Sequence, residues 1–121
     1  MKKVLIVDDS RTIREQVTAA LAPAGFDVHE AEDGLEALGK IKTISDLALI
    51  FCDLNMPRMN GLEMLHEAGK LQETKVPHIV MLTSEGRTDL IDQAKKAGAR
   101  GWLVKPFRPE HLVAVARKLT A

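Results

Sequence analysis

Apolar and polar positions along the chain fall into a repeating alternation. Short runs of branched apolar residues at 4–7, 26–31, 47–52, 78–82 and 102–104 are each followed by a longer, mostly polar stretch. Runs of this length bounded by polar segments predict strands, and the stretches between them carry helical spacing. Ile13, Val17, Ala20, Leu21 and Ala24 mark one helical stripe, Leu35, Leu38 and Ile41 a second, and Leu112, Val115, Ala116 and Leu119 the last. Each stripe predicts one buried helix face. A fourth helix, over 88–97, offers only Leu90, Ile91, Ala94 and Ala97 as anchors, which makes it the least firmly held element and a candidate moving part. End signals agree with these elements. Asp33-Gly34-Leu35-Glu36 reads as a capping box, Pro109 suits a first helical position, and Gly25 and Gly98 suit helix stops.

Strand followed by helix five times, with right-handed crossovers, gives an α/β fold. The expected architecture is a doubly wound (βα)5 three-layer sandwich with a parallel sheet in the flavodoxin-like order 2-1-3-4-5. The first, third and fourth runs are apolar almost throughout, as strands covered on both faces must be. Phe26-Asp27-Val28-His29 alternates instead, as an edge strand does. Ligands of such sheets bind outside the carboxyl ends of the strands. The residues at those ends are Asp8 and Asp9, Asp53, Thr83 and Ser84, and Lys105. The second strand ends in Glu30, Glu32 and Asp33, expected to be surface residues and a helix cap.

Composition narrows the function further. A chain of 121 residues forms one domain, 1–121, and is too short to join a sensor, a catalytic module and a DNA-binding module. Lys plus Arg and Asp plus Glu both number 17, so no net basic field favours nucleic acid or an anionic membrane. The longest unbroken apolar run, 47–52, is far short of the roughly 20 residues that span a bilayer, so membrane insertion is not expected. The opening Met1-Lys2-Lys3 resembles the start of a signal peptide, but Asp8 cuts the apolar stretch behind it, so a cytoplasmic location is expected. Cys52 is the single cysteine and lies in an apolar run, which suits a buried, inert thiol. The four histidines are scattered over different elements and receive no metal or catalytic role. Met56, Met59 and Met64 read as gap fillers.

The strand-end residues carry the candidate chemistry. Carboxylates gathered there repel by on the order of 4 kcal/mol per pair at about 4 Å in a moderately polar setting, and need a cation to coexist. A site without His or Cys favours a hard divalent ion such as Mg²⁺, and Lys105 adds a positive charge. An arriving phosphoryl group would be neutralised by the metal and Lys105, receive a hydrogen bond from Thr83, and be attacked by an aspartate. The rival ligand for this architecture, a nucleotide or flavin phosphate, wants a glycine-rich first loop. Here that loop is Val7-Asp8-Asp9-Ser10-Arg11, whose carboxylates repel a phosphate unless a metal intervenes.

Over its whole length the chain resembles the receiver domain of bacterial response regulators. The resemblance rests on Val4-Leu5-Ile6-Val7-Asp8-Asp9-Ser10, on 51–61 with Asp53, Met56, Pro57 and Gly61, on Leu82-Thr83-Ser84, and on Val104-Lys105-Pro106-Phe107. It implies that Asp53 is the phosphoacceptor, supplied by a phosphohistidine on a sensor histidine kinase. It implies that Asp9, Asp53 and the backbone carbonyl of Asn55 ligate Mg²⁺, with Asp8 acting mostly through a water on the ion. It implies that Lys105 pairs with Asp53 and then with the phosphoryl group, across a cis Lys105-Pro106 bond, and that Thr83 swings toward that group. Trp102 is the implied switch aromatic, moving between outward and inward rotamers. Phosphorylation then shifts the population toward a state whose fourth helix, fifth strand and fifth helix bind an output protein. Asn55 and Glu85 stand where the family tunes self-dephosphorylation. Arg11, Thr12 and Ile13 lie where family kinases dock or are ordinary helix surface, and Met56 and Pro57 are candidate kinase contacts.

The expectation is therefore a stand-alone response regulator in chemotaxis signalling that is not an enzyme beyond its own phosphorylation and dephosphorylation. A receiver excised from a larger regulator or hybrid kinase would read the same way. A phosphohydrolase of the haloacid dehalogenase kind wants Asp-x-Asp on one loop and a cap, whereas here the loop is Asp53-Leu54-Asn55.

Overall fold

The computed structural model describes residues 1–71, 76–84 and 88–121, with nothing to be said of the side chain of Thr88. Five strands, β1 (Lys2–Val7), β2 (Phe26–Ala31), β3 (Leu47–Asp53), β4 (His78–Thr83) and β5 (Gly101–Val104), alternate with five helices. The helices are α1 (Arg11–Leu21), α2 (Gly34–Thr43), α3 (Gly61–Ala68), α4 (Thr88–Lys96) and α5 (Pro109–Thr120). All pairings are parallel and the strand order is β2-β1-β3-β4-β5, the doubly wound order that the alternation predicts.

The period of two along each strand divides the core into two layers. Leu5, Val7, Ile50, Cys52, Ile79 and Met81 face one side, where Ala37 and Ile41 of α2, Met64 and Leu65 of α3 and Ala94 of α4 cover them. Val4, Ile6, Leu49, Phe51, Val80 and Leu82 face the other side, covered by Val17 and Leu21 of α1 and Leu112 and Ala116 of α5. Each large side chain buried this way contributes about 1.5–3 kcal/mol, so the central strands β1, β3 and β4 anchor the strand ends that carry the polar residues. Met64 is fully buried, and Met56 and Met59 pack partly buried against the same layer, as gap fillers do.

Two local expectations are corrected. Leu35 is half exposed, and the inward stripe of α2 is Gly34, Ala37 and Ile41, because α2 begins at Gly34 and its first turn faces the β3–α3 loop. The box at Asp33 is half formed. The Asp33 carboxylate accepts from the Glu36 amide at 2.9 Å, but Glu36 reaches back to the amide of Glu32, at 3.4 Å. A complete capping box sits at α3 instead, where Asn60 and Glu63 satisfy each other's amides at 2.9 and 3.1 Å. Asp33 caps α2 as expected, and it is also buried and ion-paired to Arg58.

Pro109 opens α5, and Gly25 and Gly98 adopt φ of 96° and 109°, the left-handed region in which a Cβ is penalised. Of the four expected anchors, Ile91 and Ala94 are buried in α4, while Leu90 of α4 and Ala97, just beyond its end, pack partly buried. Among the described residues no helix is long and apolar enough to cross a membrane.

Candidate functional site

Register places the carboxyl ends of the strands side by side. Val7 pairs with Cys52, Asp53 with Leu82, and Thr83 with Val104, so the residues just beyond converge on one edge of the sheet. Backbone bonds carry the alignment past the strands: Asp8 N donates to the Ala31 carbonyl at 3.1 Å, Leu54 N to Leu82 at 3.1 Å, and Lys105 N to Thr83 at 2.8 Å. The Lys105-Pro106 peptide bond is cis.

Asp8, Asp9 and Asp53 come together here, with one carboxylate oxygen from each lying within 4.8 Å of the others. Asp8 and Asp53 are buried and Asp9 faces solvent. Lys105 reaches across from the end of β5, past β4, its Nζ 2.9 Å from Asp8 Oδ2 and 3.3 Å from Asp53 Oδ1. Lys105 thus pairs with both aspartates and lies closer to Asp8, the fully buried one, whose charge most needs a counter-ion. The other Asp8 oxygen accepts from the Ser10 amide at 2.9 Å. These are hard oxygen donors with no His or Cys among them, and such a set suits a small divalent ion.

The electrostatics follow from burial and from the pairings. Burial, then the charge of Asp8, raises the Asp53 carboxyl above its ordinary value, and Lys105 and the Asn55 amide only partly oppose this. Burial alone would lower the Lys105 ammonium, but its bond to Asp8 and the charges of both aspartates outweigh that and raise it, so it stays protonated. Burial, then the charges of Asp53 and Asp8, pushes the Cys52 thiol far up. That leaves it protonated and inert, as its apolar run suggested.

The remaining expected site residues are placed less centrally. Thr83 is buried at the end of β4, and its hydroxyl donates to the Ser84 carbonyl at 3.1 Å. Asn55 is exposed on the loop after Asp53. Trp102 is 40% exposed on the edge strand β5, with the Lys95 ammonium 4.1 Å from its ring centroid. Arg11 and Thr12 are exposed and Ile13 is partly buried. Glu85 lies outside the described residues.

Sequence reasoning missed two arginines beside this edge. Arg14 is buried, donates to the Asp8 backbone carbonyl at 2.8 Å and to Glu30 at 3.0 Å, and so draws Glu30 out of the role of a plain surface residue. Its signal was available, because Arg14, Val17 and Leu21 form the inward stripe of α1. Arg58 pairs with Asp33, which stands 25 positions away in the chain, and nothing in local spacing announces that contact.

The family model described as "Response regulator receiver domain" matches residues 4–117. The chain belongs to this family. The receiver is 40% identical over 111 residues to "Chemotaxis protein CheY1" of Helicobacter pylori, covering 91% of this chain and 90% of that protein. It is 39% identical over 111 residues to "Chemotaxis protein CheY homolog" of Campylobacter jejuni, covering 91% and 85%. Among solved structures, the chemotaxis protein CheY4 of Vibrio cholerae superposes with a TM-score of 0.90 at 41% identity, covering 98% of each chain. Receivers are signalling domains, and the acidic cluster of this one has the donors to hold a metal ion.

Proposed function

We propose that the chain, acting as one receiver domain over 1–121, accepts a phosphoryl group on Asp53 from a phosphohistidine of a sensor kinase and thereby switches its affinity for an output protein. The observation that carries this reading is the convergence of Asp8, Asp9 and Asp53 under one ammonium, that of Lys105. Asp9, Asp53 and the Asn55 carbonyl are the residues that would hold Mg²⁺ directly, with Asp8 contributing through a water. When bound, the ion supplies positive charge that lowers the Asp53 carboxyl and offsets the charge of the incoming phosphoryl oxygens. An Asp53 carboxylate oxygen attacks phosphorus, the bond from phosphorus to the imidazole nitrogen breaks, and the imidazole leaves with the electron pair. Lys105, already protonated between the two aspartates, turns to the phosphoryl oxygens, and Thr83 exchanges its bond to Ser84 for one to the same group.

The withdrawal of Thr83 opens space behind β5 into which Trp102 moves, and the α4–β5–α5 face becomes the output surface. Exposed Arg11 and Thr12, with Met56 and Pro57 across the site, form the approach for the kinase. Asn55 and Glu85 set how readily water reaches the acyl phosphate. The similarity to chemotaxis regulators supports a place in chemotaxis signalling, in the cytoplasm, with no direct nucleic acid contact. The chain then catalyses nothing beyond its own phosphorylation and dephosphorylation. The test is incubation with acetyl phosphate and Mg²⁺ followed by intact-mass measurement. One phosphoryl group is expected on the wild type and none on Asp53→Asn. A wild type left unmodified, or a variant that still gains mass, rejects the reading.

A further inference from the structure

The β3–α3 loop, residues 54–60, carries Asn55 and follows directly on Asp53, so its position sets where those two groups stand. Its far end is seated by close contact. Gly61 N donates to the Leu54 carbonyl at 3.0 Å, and Gly61 lies against the Asp53 carbonyl so closely that a Cβ would collide with it. Its middle is held by another element altogether, the N-terminus of α2. There Gly34 N donates to the Met59 carbonyl at 3.1 Å, and a Cβ at Gly34 would meet Met59 Cγ at 2.7 Å.

Arg58 completes that second attachment. Its Nε donates to Asp33 Oδ2 at 2.7 Å and its Nη2 reaches the same oxygen, while Asp33 Oδ1 caps α2 through the Glu36 amide. The Asp33 side chain is 3% exposed and that of Arg58 is 61% exposed, so a buried carboxylate is held by an arginine otherwise in solvent. Arg58 also adopts a φ of 62°, a left-handed conformation that costs any residue with a Cβ. An arginine kept there by its side-chain bonds, where glycine would sit without strain, points to a tether rather than a plain turn.

We propose that Arg58 is a positioning residue: through Asp33 it fastens the acceptor loop to the start of α2 and so sets how tightly the acidic site takes a divalent ion. This rests on the Mg²⁺ reading above and adds a determinant outside the ligand set. Groups that orient metal ligands typically change affinity by ~10-fold or more when removed.

The test is calorimetric Mg²⁺ titration of the full chain, paired with thermal melts, for Arg58→Gln, Arg58→Gly, Asp33→Asn and the double variant Asp33→Asn with Arg58→Gln. Asparagine keeps the α2 cap, and glycine removes both the tether and the strain. Weaker Mg²⁺ binding by about tenfold is expected for Arg58→Gln, Arg58→Gly and Asp33→Asn, and the double variant should be no weaker than Arg58→Gln alone. Lowered melting temperatures with wild-type Mg²⁺ affinity would make Arg58 merely structural and overturn the inference while leaving the proposed function intact. Additive losses in the double variant would overturn the tether through Asp33. A wild type that takes up no Mg²⁺ would remove the proposed function and this inference together.

Discussion

The Lys95 ammonium stands 4.1 Å above the ring of Trp102, joining the last turn of α4 to the edge strand β5 across the face proposed as the output surface. A cation in that position over an exposed indole contributes ~0.5–1 kcal/mol and holds the ring in its outward orientation. Lys95→Ala is expected to free the ring, raising the acrylamide quenching constant of Trp102 and lowering its fluorescence anisotropy. With a single tryptophan in the chain the signal is unambiguous, and unchanged quenching would show that Lys95 does not hold it.

Asp53 is expected to lower the stability of the ion-free protein. Burial and the charge of Asp8 raise its carboxyl, so ionising it penalises the folded chain relative to the unfolded one. The penalty is full above the raised folded value, shrinks as pH falls, and is gone below the ordinary carboxylate value near ~4. Asp53→Asn should therefore melt higher than the wild type at neutral pH without divalent ions. The gap should close on acidification. A gap that is absent at neutral pH, or that widens as pH falls, contradicts this account.

Arg14 anchors the backbone of Asp8 from the buried side of α1. Arg14→Met leaves the Asp8 carbonyl without its donor and Glu30 without its partner, and is expected to cost about 2–3 kcal/mol in urea unfolding. Arg14→Lys keeps the charge but loses the fork, and should fall between.

Two glycines are expected to respond in opposite directions. A Cβ at Gly61 would meet the Asp53 carbonyl, Met81 Cε at 2.8 Å and the Leu54 backbone at 3.0 Å, so Gly61→Ala must displace the acceptor strand end. A loss of ~1–3 kcal/mol is expected. Gly39, inside α2, has nothing within 4 Å of its Cβ position, and Gly39→Ala should gain up to ~1 kcal/mol from helix propensity. Denaturant midpoints moving the same way for both would break the contrast.

Much of this architecture is written locally. Unbroken apolar runs at β1, β3 and β4 and alternation at β2 follow from burial on two faces or one, and the observed order β2-β1-β3-β4-β5 agrees with them. Asp8, Asp9, Asp53, Thr83 and Lys105 could be read as site candidates because each directly follows or ends a strand, and doubly wound sheets gather those positions on one edge. Leu35 shows where helical spacing misleads: the first turn of α2 faces the β3–α3 loop through Gly34, which leaves Leu35 half exposed.

The elements and the residues at their ends are thus legible along the chain, since both depend on patterns within a few positions. The partners of Asp8 and Asp33 emerge only from the closed fold. Lys105 and Asp8 are 97 positions apart and Arg58 and Asp33 are 25 apart, and no local periodicity encodes either pair. Such pairs are selected by the energy of burying a charge, which is known only once the chain has closed around it.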